Sequence, residues 1–296
     1  MLLEYKNIFK TFGGNQVLKG ISFSAESGKA LGILGRNGAG KTTLLRILLN
    51  VFPADSGEIL VDGRAIDYKK VRIGYLPEER GLYPKKVVSD QLIYLAQLKS
   101  MSAKAAAESV NWWLNRLEIK EYGKKRLETL SKGNQQKIQL IAALVHDPEI
   151  VILDEPFSGL DPVNAVMLRS VVLEQVKKGK TVIFSSHQMN YIEEICDNIA
   201  IINNGSIVVS GELRKIKRLH GQNSLIVRTE NPTVLIGEYG AVSVSNDPRE
   251  VLIQIPESLS KQEMMRTLVK RFDVDAVCLY EPSLNDIFIN YTDTGN

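Results

Sequence analysis

The sequence predicts an α/β protein built on a mostly parallel sheet, followed by a small α+β domain. Three observations carry this. Up to about residue 220, apolar strands alternate with amphipathic helices, the pattern of a parallel sheet with helices packed on it. Some of these strands are apolar at every position, as a strand covered on both faces must be. After "RKIKRLHGQN" the composition shifts, and residues 224–282 read strand, helix, strand, strand, helix, strand, the ferredoxin-like order.

The elements follow in chain order. "KALGILG" (29–35) is an apolar strand, and "KTTLLRILLN" (41–50) is a helix whose Leu44, Leu45, Leu48 and Leu49 share a face. Residues 89–122 break the alternation with a helical insertion, for which Ser89 and Ser102 are the expected N-caps. Trp113 is spaced with Val110, Leu114 and Leu117 as a core residue rather than a ligand-stacking one. "EIVILDEP" (149–156) and "TVIFSSH" (181–187) are strands, and "AIINNGSIVVSG" (200–211) is a hairpin turning at Asn204-Gly205 in type I′ geometry. In the second domain "SLIVRTE", "AVSVSN", "VLIQIP" and "AVCLYE" are strands. "PTVLIGEYG" and "LSKQEMMRTLVKRF" are helices, and "PSLNDIFINY" closes the chain as another. No catalytic constellation stands out there, which suits a structural or regulatory appendage.

Bulk properties narrow the class. The chain of 296 residues has room for a large domain and a small one, and its net charge of +3 is too mild to argue for nucleic acid. The basic clusters Lys124–Arg126 and Arg214–Arg218 read as solvated surface. The two cysteines, Cys196 and Cys278, have no metal-like spacing and suit a reducing compartment. "MLLEYKNIFK" is not a signal peptide, and no stretch approaches the roughly 20 apolar residues that cross a bilayer. A soluble chain is expected, with any membrane crossing left to another chain.

The chemistry is concentrated in two places. "GRNGAGKT", Gly35–Thr42, fits GxxxxGK[ST] between a strand and a helix. The candidate phosphate cradle is Gly35, Arg36, Asn37, Gly38, Ala39, Gly40, Lys41, Thr42 and Thr43. Its glycines let the backbone curl so that successive N–H groups point inward, and the helix adds its positive end. Lys41 is placed for the β- and γ-phosphates and the Thr42 hydroxyl for Mg²⁺. "VILDEP" supplies Asp154, expected to bind Mg²⁺ through water. It also supplies Glu155, expected on the other side of the strand axis to orient the attacking water or take its proton.

A P-loop alone leaves kinases, GTPases and many ATPases open. "LSKGNQQ" (130–136), "SGLD" (158–161) and "SSH", ending at His187, narrow the choice. Their order and spacing over about residues 1–220 resemble the ATP-binding-cassette (ABC) ATPases. The resemblance implies a P-loop NTPase fold with a RecA-like parallel core, an antiparallel β subdomain and a helical subdomain near residues 85–145. It also implies ATP with Mg²⁺, and ATP hydrolysis. Phe12 falls at the adenine-stacking aromatic and Val17 near the ribose. "LSKGN" stands at a signature usually LSGGQ, departing from it at Lys132 and Asn134. Ser131, Gly133 and Asn134 would face the γ-phosphate held by a second chain, although Ser131 is also a good N-cap. His187 matches the switch histidine, and Asp161 the D-loop aspartate at the dimer interface. In "IGYLPEERGLYP" (73–84) Glu78 takes the place of the Q-loop glutamine; as a carboxylate it is expected to coordinate Mg²⁺, with Glu79 and Arg80 facing a membrane partner.

Two half-sites imply a dimer, most simply a homodimer, with a related partner chain as the alternative. One cassette, a short insertion and no membrane span resemble a transport motor more than a translation factor or a DNA-repair ATPase. "GYLPEERGLYP", "LSKGNQQK" and "PSLNDIFI" resemble bacterial sodium- and drug-efflux ATPases, which work with separately encoded polytopic permeases. An importer motor and a translation role remain the alternatives. The expected domains are 1–220 and 221–296, on the cytoplasmic face of the membrane.

Overall fold

The computed structural model describes residues 1–79, 81–221, 223–243, 247–256 and 258–293. Arg80, expected to face a membrane partner, lies outside them. The chain divides into two compact units, Met1–Gly211 and Glu212–Asp293. The division falls before the boundary expected at residue 220, so the basic segment Arg214–Arg218 belongs to the second unit.

The first unit runs β1 (Leu2–Phe12), β2 (Asn15–Glu26), β3 (Ala30–Leu34), α1 (Lys41–Leu48), β4 (Ser56–Val61), β5 (Arg64–Ala65), β6 (Ile73–Leu76), α2 (Val88–Leu98), α3 (Ala103–Arg116) and α4 (Lys132–Leu144). It continues with β7 (Ile150–Asp154), α5 (Pro162–Lys177), β8 (Thr181–Ser185), α6 (Met189–Ile195), β9 (Asn198–Asn203) and β10 (Ser206–Glu212). One sheet is antiparallel, ordered β2-β1-β4-β5. The other is ordered β10-β9-β3-β8-β7-β6, with parallel pairing from β9 through β6. Every residue of β3, β7 and β8 is buried, as their unbroken apolar runs require. Their carboxyl ends lie side by side, where open α/β sheets bind ligands. Asn204 and Gly205 both have positive φ (+47° and +79°), as a type I′ turn demands.

Ser102 caps α3, its Oγ accepting from the Ala105 N–H at 3.2 Å. Trp113, Val110, Leu114 and Leu117 are buried. Ser89 does not cap α2; Val87 holds that position and Ser89 lies inside the helix. The first free N–H groups of α2 find backbone partners instead, Val88 on the Lys125 carbonyl at 3.0 Å and Ser89 on the Gly123 carbonyl at 2.9 Å.

The second unit runs α7 (Leu213–Gly221), β11 (Ser224–Arg228), α8 (Pro232–Tyr239), β12 (Val242–Ser243), β13 (Glu250–Gln254), α9 (Lys261–Arg271), β14 (Ala276–Leu279) and α10 (Leu284–Asp293). Its sheet is antiparallel, ordered β12-β13-β11-β14, and Leu225, Val227, Val251 and Ile253 pack on Leu235, Met264 and Leu268 from α8 and α9. A reciprocal Ser260–Glu263 capping box opens α9. The strand expected at "AVSVSN" is seen at Val242–Ser243, and the three residues after it lie outside the described residues. Among the described residues no helix is long and apolar enough to cross a membrane.

Candidate functional site

The loop between β3 and α1 is shaped for an anion. Gly38 and Gly40 have φ of +81° and +109°, open to glycine at little cost. Gly40 caps α1 without a side-chain hydrogen bond, and no acidic residue sits in the first turn. The positive end of the helix is therefore left to a ligand. Lys41 is buried and its Nζ folds back over the loop, donating to the Gly35 carbonyl at 2.7 Å and the Arg36 carbonyl at 3.4 Å. Arg36, Asn37 and Gly38 are exposed at the loop's rim, Ala39 is buried, and Thr42 and Thr43 are half-buried at the start of α1. A Cβ on Gly40 would meet Val17 and Leu18, which places β2 against the loop.

At the carboxyl end of β7, Asp154 is only 1% exposed. Its Oδ1 accepts from the Ser185 hydroxyl at 2.5 Å and its Oδ2 from the Tyr75 hydroxyl at 3.4 Å. Burial first, then the Asp154 charge, push the Tyr75 phenol up to about 12, so it stays a donor. No basic side chain pairs with Asp154 among the described residues, and a buried carboxylate without one suits a cation. Thr42, Glu78 and Asp154 line one cavity of about 880 Å³, bounded by α1, the loop after β6, and α2 and α4. A hydroxyl and two carboxylates are hard oxygen donors of the kind Mg²⁺ takes while keeping several waters. Among the described residues no group of three His, Cys, Asp or Glu side chains forms a denser metal cage.

Glu155 reaches its place by a turn of the backbone, not by strand alternation. β7 ends at Asp154, and Glu155 takes a left-handed φ of +48°. That conformation costs a non-glycine residue about 1–2 kcal/mol and collects at functional sites. The Glu155 N–H donates to the carbonyl and hydroxyl oxygens of Ser185, both at 3.2 Å. Its Oε2 lies 2.9 Å from His187 Nδ1 and also accepts the His187 N–H at 3.4 Å. A carboxylate only accepts, so Nδ1 carries the proton and Nε2 of this half-exposed ring is left for a ligand.

The signature residues form a separate cluster and do not line the cavity. Ser131 caps α4, its Oγ accepting from the Asn134 N–H at 3.3 Å. Gly133 packs so closely on the Asn164 side chain that a Cβ would overlap it. Asp161 caps α5, accepting from the Asn164 N–H at 3.0 Å and Nδ2 at 2.5 Å, and these bonds hold its carboxyl below the usual range. Ser131 and Asp161 thus both have capping work within their own chain. Phe12, at the tip of the β1–β2 hairpin, is 45% exposed and stands edge-on to Phe52 at 5.3 Å. Val17 is half-buried beside the loop.

Sequence reasoning gave no role to Ser185, Tyr75 or Gln136. The only trace of Ser185 was its place in "SSH"; its pairing opposite Asp154 comes from the β7–β8 register. Gln136 donates from Nε2 to the Pro156 carbonyl at 3.2 Å, tying α4 to the residue after Glu155.

The chain is similar to known proteins. Residues 18–158 match the family described as ABC transporter, and residues 211–292 match the ATP-binding protein DrrA1-3-like, C-terminal domain. The uncharacterized ABC transporter ATP-binding protein YhaQ of Bacillus subtilis is 41% identical over 97% of this chain and 97% of its own. The linearmycin resistance ATP-binding protein LnrL of Bacillus subtilis is 32% identical over 98% of each chain. A solved dimeric bacterial ABC transporter cassette superposes with a TM-score of 0.65 at 23% identity, over 72% of this chain and 99% of that one.

Proposed function

This chain belongs to the ABC transporter family of ATP-binding proteins, and from that premise we propose that it drives export through a separately encoded membrane subunit. As a family member it binds and hydrolyses ATP. The observation that carries export is the second unit. Its match at residues 211–292 accompanies a full-length likeness to a protein named for linearmycin resistance.

In the proposed site Phe12 stacks on the adenine, Val17 lies by the ribose, and the Gly35–Thr43 loop takes the phosphates. Thr42, Glu78 and Asp154 would hold Mg²⁺, which neutralises charge on the β- and γ-phosphate oxygens when bound. Glu155 orients the attacking water and accepts its proton. His187, steered by Glu155 through Nδ1, turns Nε2 to the γ-phosphate. Ser131, Gly133 and Asn134 stand apart from this chain's own cavity, which supports their serving the site of a second chain, with Asp161 at the junction. A solved cassette of the same fold is dimeric, which supports a dimer here, and a homodimer is the simplest form. Val51 and Leu98, exposed at the cavity rim, and Glu79 are proposed to meet the membrane subunit, which would hold the chain at the cytoplasmic face. No nucleic acid is expected.

Affinity purification from membranes in mild detergent tests this. Co-purification of a polytopic membrane protein without a solute-binding protein is the expected result. Recovery with a solute-binding protein would indicate import, and recovery with ribosomes would overturn the transport reading.

A further inference from the structure

We propose that His146 and Gln136 are positioning residues that make α4 a strut holding the Glu155 loop and the Glu78 loop in fixed register. Near the start of α4, Gln136 Nε2 donates to the carbonyl of Pro156, the residue after Glu155. Just past its end, His146 Nε2 lies 3.1 Å from the carbonyl of Ile73. A carbonyl only accepts, so Nε2 carries the proton. Ile73 opens β6, which runs through Leu76 into Pro77 and Glu78. Gln136 and His146 are ten positions apart in sequence, most of them helical, which puts the two clamps roughly 15 Å apart.

The contact between α4 and β6 is backbone against backbone. A Cβ on Gly74 would overlap the Ala143 carbonyl of α4 and the Pro148 ring. His146 adds a directional polar contact between this end of α4 and β6. His146 is 5% exposed, and burial pushes its pKa down to about 4, so it is a neutral, directional donor. Its Nδ1 and the Nε2 of Gln139 have no hydrogen-bond partner among the described residues. Both side chains line the cavity shared by Thr42, Glu78 and Asp154. One helix therefore touches the exit of β7, the strand feeding Glu78, and the wall of the cavity between them. The β6–β7 ladder keeps the strands themselves in register as far as Leu76 and Leu153. Loss of either clamp therefore loosens the loops beyond them, which carry Glu78 and Glu155, while the phosphate loop, carried by β3 and α1, stays in place. That separation predicts an effect on turnover rather than on nucleotide affinity.

The test compares His146→Leu, which removes the donor, with His146→Gln, which keeps an amide donor in reach of Ile73. Both are made in the full chain and assayed for ATP hydrolysis, with rates normalised to the nucleotide-binding fraction. His146→Leu is expected to lose about tenfold in kcat with KM for ATP within about twofold, and His146→Gln to recover to within about twofold of wild type. Gln136→Leu is expected to lose as much as His146→Leu, and the double variant little more, since both clamps hold one strut. A wild-type kcat in His146→Leu, no recovery in His146→Gln, or fully additive losses would overturn the proposal. If His146→Leu fails to bind nucleotide, Gln136→Leu carries the same expectation, and a wild-type kcat there overturns it. The inference rests on Glu155 as the water-orienting group, and Glu155→Gln separates the two. Normal turnover in Glu155→Gln refutes that assignment, whereas an inactive Glu155→Gln beside a normal His146→Leu refutes the strut alone.

Discussion

Replacing Ser185 with alanine removes one oxygen that donates to the Asp154 carboxylate and is one of two acceptors of the Glu155 N–H. The hydroxyl donates to Asp154 Oδ1 at 2.5 Å and accepts the Glu155 N–H at 3.2 Å. The residue is fully buried, so water has no ready access to replace it. Among the described residues the remaining donor to Asp154 is Tyr75, at a long 3.4 Å. A hydrogen bond to a charged group contributes about 1.5–3 kcal/mol. If that loss falls on orientation in the transition state, kcat drops about 10- to 150-fold. Nucleotide binding should persist, because Lys41 and Thr42 open α1, directly after the β3–α1 loop. The assay is phosphate release at saturating ATP across a Mg²⁺ titration, with urea unfolding measured in parallel. The expected result is a kcat at least tenfold lower and a raised half-saturating Mg²⁺ concentration. Wild-type kcat and Mg²⁺ dependence, with unfolding free energy within about 0.5 kcal/mol of wild type, would show that this hydroxyl orients neither group.

Three other outcomes are expected. Glu155→Gln should bind ATP, hydrolyse it at least 100-fold more slowly by the usual weight of a general base, and accumulate a dimer on gel filtration with ATP; rapid turnover without a dimer would contradict the assignment. Glu78→Gln should raise the Mg²⁺ concentration needed for half-maximal hydrolysis, and an unchanged Mg²⁺ curve would count against direct coordination by Glu78. The folded His146 titrates near 4 against 6.5 for the free side chain, so its share of stability is complete above pH 6.5 and is lost as pH falls toward 4. Urea midpoints of the wild type should fall more steeply across that window than those of His146→Gln, and parallel slopes would refute this.

Much of the candidate site could be proposed from sequence because its chemistry is local. A phosphate loop needs its glycines, lysine and threonine on consecutive residues, and Asp154 and Glu155 follow an unbroken apolar strand. Asp161 is expected at an interface, but Pro162 and Asn164, one and three residues further on, also fit the cap it makes on α5. What escaped depends on contacts between distant segments. Ser89 has the chemistry of a cap, yet carbonyls from Gly123 and Lys125 satisfy α2 first. Ser185 acts only because β8 lies beside β7 in a register that sets it opposite Asp154. The position of Glu155 depends on a left-handed backbone that strand periodicity cannot foretell. The order of the second unit was readable from alternating strands and turns, but the start of that unit before α7 was not.

Base stacking on Phe12 at the hairpin tip, as proposed, would have a consequence for fuel choice. A half-exposed ring braced edge-on by Phe52 presents a flat surface, and flatness is common to every purine. A pocket that reads its ligand this way tells a triphosphate from a monophosphate far better than adenosine from guanosine. The nucleotide mixture of the cell, more than the protein, would then decide which purine is spent.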